Sequence, residues 1–149
     1  MKLSTKGRYG LKAMLDIALN MKDGVVAIKN ISKRQGISEP YLEQLFSSLK
    51  KAELVKSTRG SMGGYVLASP PEQITVGQIL RALEGSLAPV DCVLETDAHQ
   101  CDRVDCCVVK GVWTKIRDSV NQVVDSISLQ DLVEDYKKAN CKEDIAYFI

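Results

Sequence analysis

Gly36-Ile37-Ser38-Glu39-Pro40-Tyr41-Leu42-Glu43-Gln44-Leu45-Phe46-Ser47-Ser48-Leu49-Lys50-Lys51 is the stretch on which the fold turns. A glycine suits the left-handed position that closes one helix. Ser38 then suits the N-cap of the next, and Pro40 is tolerated in its first turn. Leu42, Leu45, Phe46 and Leu49 recur at steps of three, one and three, so they share one face. The spacing predicts a tight turn feeding a well-packed helix that leaves Glu43 and Gln44 on its polar side.

Upstream, Leu11, Met14, Leu15, Ala18 and Leu19 line one face of a helix over Lys6 to Met21, with Lys12 and Asp16 elsewhere, and Ile28 to Gln35 forms a shorter helix ended by Gly36. Downstream the period changes. Leu54-Val55-Lys56-Ser57 and Tyr65-Val66-Leu67 are strand-like on either side of the turn Arg59-Gly60-Ser61-Met62-Gly63-Gly64, a hairpin with a basic, glycine-rich tip. Helix, short helix, turn, capped helix and hairpin is the order of a winged helix-turn-helix, whose third helix enters the major groove of DNA.

The rest of the chain extends that unit. Pro70-Pro71 breaks it, Thr75 suits the cap of a helix with Val76, Ile79, Leu80 and Leu83 inside, and Gly85 ends that helix. Residues 86–90 read as a linker. Residues 91–107 hold four of the five cysteines, the one histidine and five acids without any period, and read as a loop. From Val108 to Ile127 the residues Val109, Trp113, Ile116, Val120, Val123 and Ile127 alternate at four and three, the seam of a paired helix. Ser128 suits the cap of a last helix through Lys138, and the tail 145–149 is apolar. The expected organisation is a DNA-binding domain at 1–85, a linker and sensor loop at 86–107, and a dimerisation helix, final helix and tail at 108–149. The fold class is mainly α with a small two-stranded wing.

Charge supports a polyanion partner. The net charge of +1 hides a division: residues 1–75 carry 12 Lys or Arg against 6 Asp or Glu, residues 76–149 carry 8 against 13. With 45 % hydrophobic and 26 % charged residues the composition is that of a globular protein. No apolar run approaches the roughly 18 residues of a membrane span, and the basic start leads into an amphipathic stretch, so a cytoplasmic location without membrane partner is expected. Glu43 can accept from cytosine N4 and Gln44 can pair with adenine. Lys50, Lys51 and Lys56 can hold phosphates, and Arg59 can reach a phosphate or a narrow minor groove. The wing glycines are expected to let the backbone approach the sugar-phosphate chain.

Cys92, Cys101, Cys106 and Cys107 are separated by eight, four and zero residues, which departs from the paired spacing of a structural zinc site. Thiolates also ligate iron-sulfur clusters, and spacing leaves the cofactor open. A thiol redox switch or a set of small apolar residues are the other readings, and Cys141 is read as structural or idle. An iron-sulfur carrier or thiol oxidoreductase is the reading from another class, but no C-x-x-C accompanies a βαβ pattern and the basic half would be unexplained.

Three stretches, Ser4-Thr5-Lys6-Gly7-Arg8-Tyr9-Gly10, Ile37 through Leu45, and Arg59 through Tyr65, resemble the Rrf-type family of bacterial winged-helix regulators, as do Leu83-Glu84-Gly85 and the long helix after the cysteines. Within it the likeness is greatest to members that regulate iron-sulfur cluster supply. The resemblance implies a homodimer with crossed long helices on a partly palindromic double-stranded operator, a transcription regulator, with repression expected, and no enzyme. It implies DNA contacts at Tyr41, Glu43, Gln44 and Arg59. Position 40, a serine in those members, is Pro40 here, so the preferred operator is free to differ. It also implies a 2Fe-2S cluster held by three cysteines, which map to Cys92, Cys101 and Cys107, with a histidine three residues past the last. That place holds Lys110, a poor iron ligand while protonated, which leaves the fourth position open to Cys106, His99 or a carboxylate. Regulators of the same family that respond to cysteine supply, nitric oxide or thiol oxidation would share the DNA-binding half.

Overall fold

A computed structural model describes residues 2–95 and 106–147, the side chains of Asp23 and of 141–147 excepted. Six helices run in the order α1 (Thr5–Asn20), α2 (Ile28–Gln35), α3 (Glu39–Lys51), α4 (Val76–Glu84), α5 (Lys110–Ser126) and α6 (Leu129–Tyr147), with strands β1 (Val55–Thr58) and β2 (Gly64–Leu67) between α3 and α4. The two strands are antiparallel, Val55 opposite Leu67 and Thr58 opposite Gly64. This is a winged helix-turn-helix, mainly α, as the sequence predicts.

The turn before α3 is made as expected: Gly36 is left-handed at φ 66°, its N–H bonded to the Ser32 carbonyl. Ser38 occupies the N-cap of α3 without a capping bond from its side chain. Thr75 and Gln78 cap α4 reciprocally, at 3.1 and 2.9 Å. Ser128 and Asp131 do the same for α6, at 3.0 and 2.9 Å.

Met14, Ile17, Ile31, Leu42, Phe46, Leu49, Ile74, Ile79 and Leu129 are fully enclosed in one core. Leu129 belongs to α6, so the start of the last helix closes the core of the first half. Backbone bonds hold it there: Leu129 N–H donates to Ile74 O at 2.7 Å and Val76 N–H to Ile127 O at 2.9 Å. A smaller cluster joins Val76, Leu80 and Leu87 to Val120, Val124 and Ile127 of α5.

Three features depart from the sequence reading. Val26 pairs with Tyr65 of β2 through two backbone bonds of 2.9 and 2.8 Å, an isolated bridge that adds a third segment to the wing sheet. Asp16, expected off the packed face, is 2 % exposed and receives Arg34 at 2.7 and 2.9 Å and Gln35 at 3.0 Å, which ties α1 to α2. Helix α6 also runs past Lys138 to Tyr147.

Candidate nucleic-acid interface

The exposed face of α3 carries Pro40, Glu43, Gln44, Ser47 and Lys51. Its other face is anchored by the buried Leu42, Leu45, Phe46 and Leu49, so the helix cannot rotate to hide its polar side without unpacking the core. Sequence reading named Glu43 and Gln44; Ser47, one turn further along the same side, was missed. The signal that identifies it is the three- and four-residue step from Gln44 and Glu43.

Tyr41 stands apart from that stripe. It is half-buried, its ring meets Tyr9 edge-on at 6.0 Å, and its hydroxyl lies 3.0 Å from Thr5 Oγ1. It therefore joins the N-terminal turns of α1 and α3, with part of the residue left open to solvent.

The wing is coupled to the same helix. Phe46 stacks on Tyr65 with centroids 4.4 Å apart and planes at 16°, and Lys50 Nζ donates to Ser57 Oγ at 2.8 Å. Burial, and then the nearby Glu43 carboxylate, push the Tyr65 phenol upward, so it stays neutral at physiological pH. Arg59 is exposed at the wing tip and makes no ion pair among the described residues. Gly60 has φ 107° and accepts the N–H of Gly63 at 3.0 Å, which makes the tip a tight turn. Gly64 has a role in the fold, since a Cβ there would meet the Val26 carbonyl.

The Ser4–Gly10 and Leu83–Gly85 stretches meet in space. Glu84 Oε1 accepts from Ser4 N–H at 2.9 Å, Ser4 Oγ at 2.5 Å and Gly7 N–H at 3.0 Å, an acid placed at the positive end of α1. These bonds, the Ser4 hydroxyl foremost, hold its carboxyl below the usual range. A Cβ at Gly10 would overlap Leu83, so both stretches are explained by the α1–α4 crossing.

Of the cysteine-bearing segment, Cys92 is half-buried in a short turn at Asp91–Val93, while Cys106 and Cys107 are exposed just before α5. Cys101 and His99 lie outside the described residues. Lys110 is the first residue of α5, half-buried, its N–H bonded to the Cys107 carbonyl at 3.3 Å. Among the described residues no three His, Cys, Asp or Glu side chains gather as a metal site. The start of the segment is tied to α5: Arg117 Nη1 donates to Val93 O at 3.0 Å, and Glu95 accepts from Ser86 at 2.7 Å and Asn121 at 3.0 Å. Those two hydrogen bonds hold the Glu95 carboxyl down at about 2. The Asn121 carbonyl in turn accepts from Arg81 Nη2 at 2.9 Å, and Arg81 is bidentate on Asp125 at 2.7 and 2.8 Å.

No residue of α5 is fully buried in the single chain. Val120 and Val124 face α4, whereas Val108, Val109, Val112 and Val123 are 90, 51, 51 and 57 % exposed. No described helix is long and apolar enough to cross a membrane.

Residues 3–135 match the Rrf2 family, described as an iron-dependent transcriptional regulator. The HTH-type transcriptional regulator CymR of Bacillus subtilis is 47 % identical over 132 residues, 89 % of each chain. The HTH-type transcriptional regulator IscR of Aliivibrio salmonicida is 42 % identical over 135 residues, 91 % of this chain and 79 % of that one. Among solved structures, CymR, the global cysteine regulator of B. subtilis, matches with a TM-score of 0.71 at 47 % identity over 90 % of this chain and 97 % of its own. IscR of T. potens matches with 0.75 at 47 % identity over 93 % and 90 %. These relatives are named as regulators of transcription, in keeping with a chain whose prepared surface is a recognition helix and wing. The chain belongs to the Rrf2 family of helix-turn-helix transcriptional regulators, which bind DNA.

Proposed function

We propose that the protein is a homodimeric repressor that reads a partly palindromic operator through Glu43, Gln44, Arg59 and the hydroxyl edge of Tyr41, and takes its input at the cysteines of residues 91–107. Exposed apolar residues on and just before α5 carry the dimer part of this reading: Val108 and Val109 before the helix and Val112 and Val123 on it are half or more exposed, which is costly in water and fits a second copy. Two such protomers would set recognition helices about 34 Å apart, one turn of the duplex. Cytoplasmic placement follows from the role. Residues 1–85 serve as the reading domain, 86–107 as the sensor segment and 108–149 as the dimerisation part.

For the input we favour a 2Fe-2S cluster held by Cys92, Cys101 and Cys107. The donor chemistry fits, since thiolates are the preferred ligands of such clusters, and the two described members of the set lie outside the core, Cys92 half-buried and Cys107 exposed. When bound, the cluster supplies a one-electron redox state and a fixed spacing of its ligands. The protein's own contribution is the tether: Glu95 and Arg117 fasten the segment to α5, and Asn121 bonds both Glu95 and the Arg81 of α4. A change at the thiols thus reaches the helix that packs on α1 and α3.

A second reading, the same thiols answering to cysteine supply or oxidation, is favoured by Lys110, which removes the expected imidazole. Anaerobic purification decides between them. A coloured protein containing iron and sulfide, with operator affinity that changes on loss of the cluster, is expected. A colourless, iron-free protein whose operator affinity answers only to thiol oxidants would overturn the cluster reading and leave the second. DNA binding without salt dependence would overturn the operator claim itself.

A further inference from the structure

Met62 is 88 % exposed at the tip of the wing, between the two ends of the Gly60–Gly63 turn. A large apolar side chain at such a place gains nothing from the fold. The wing that carries it is anchored at its strands, stacked on α3 through Tyr65 and Phe46 and bonded to it through Ser57 and Lys50. From Leu54 to Pro71 the chain carries Lys56 and Arg59 and no acid, so the charged residues of the wing segment itself are all cations.

We infer that Met62 enters the minor groove beside the half-site read by α3 and wedges a deformable base step, adding shape selectivity to the base reading. This rests on the DNA-binding role of the chain. The chemistry is that of an apolar wedge flanked by a cation: the side chain is shielded from water against sugars and base edges, and Arg59 holds the adjoining phosphate or the narrowed groove. Thioether flexibility suits a groove whose width varies with sequence. The preferred operator then carries flexible pyrimidine–purine steps at the wing position, outside the bases touched by Glu43 and Gln44.

The test uses a duplex of about 30 base pairs, enough for two half-sites, selected from a randomised pool by the full-length protein, with 2-aminopurine placed at the step under the wing. Met62→Gly is expected to bind it roughly five- to thirty-fold more weakly, with the salt slope of the parent and without the fluorescence rise that marks unstacking. Met62→Leu is expected to keep both. Arg59→Ala is expected to lower the salt slope by about one. Equal affinity and equal fluorescence for Met62→Gly and the parent would overturn the proposal, as would a Met62→Gly loss that Met62→Leu fails to restore. A parent protein that selects no duplex at all would instead overturn the DNA-binding role on which it rests.

Discussion

Asp16 illustrates how a single side chain can organise the helix-turn-helix from behind. Its carboxylate is 2 % exposed, while the side chain of its partner Arg34 is 39 % exposed. The pair is therefore asymmetric. Arg34→Ala strands the buried carboxylate with the amides of Gln35 and Asn20 as its remaining donors, and should lower unfolding free energy by about 3 kcal/mol. Asp16→Asn lets Arg34 turn to water and should cost about 1 kcal/mol. Urea unfolding of both variants checks the order; a larger loss for Asp16→Asn would contradict it. Helical periodicity could not reveal this residue, since it lies off the apolar stripe and its partners come from the next helix. The same limit applies to Glu84, whose three donors sit 77 and 80 positions upstream.

The wing shows at the level of elements why some structure was legible and some not. β1 and β2 announce themselves by composition and a glycine-rich turn, but the third segment, at Val26, is a single bridge with no alternation to detect. That bridge is also why Gly64 is required. Gly64→Ala drives a Cβ into the Val26 carbonyl and should cost roughly 1–3 kcal/mol, with the wing loosened and DNA affinity reduced; thermal unfolding and a binding titration at one salt concentration check both. The attachment of the chain around Glu95 to α5 has a pH signature. The Glu95 carboxyl is lowered from an ordinary 4.5 to about 2, so its stabilising bonds are fully present above pH 4.5 and are lost as pH falls toward 2. Asp125, lowered by its bond to Arg81, acts in the same direction. Glu95→Gln should flatten the acid limb of a stability profile measured between those values, and an unchanged limb would show that the tether carries no linkage. The cysteine reading stays where residue types alone left it: thiols are recognisable, but what they hold depends on how residues 91–107 fold around it.

For the whole molecule, the helix seam legible in the sequence divides in two. Val120 and Ile127 pack within the chain, and Val109 and Val123 remain outside, because an apolar period records burial without saying which copy buries it. If the exposed side is the dimer seam, Val123→Glu places two charges across it and should shift sedimentation to the monomer and weaken operator binding by at least ten-fold; a dimer that persists would move the interface elsewhere. The backbone join of Ile74 to Leu129 and of Val76 to Ile127 has a different consequence, one that concerns synthesis. The core formed by residues 1–85 is completed by Leu129, so it waits for a segment 44 residues beyond that span. At about 5–20 residues per second that wait is roughly 2–9 s on the ribosome, during which the recognition helix exists without its finished support.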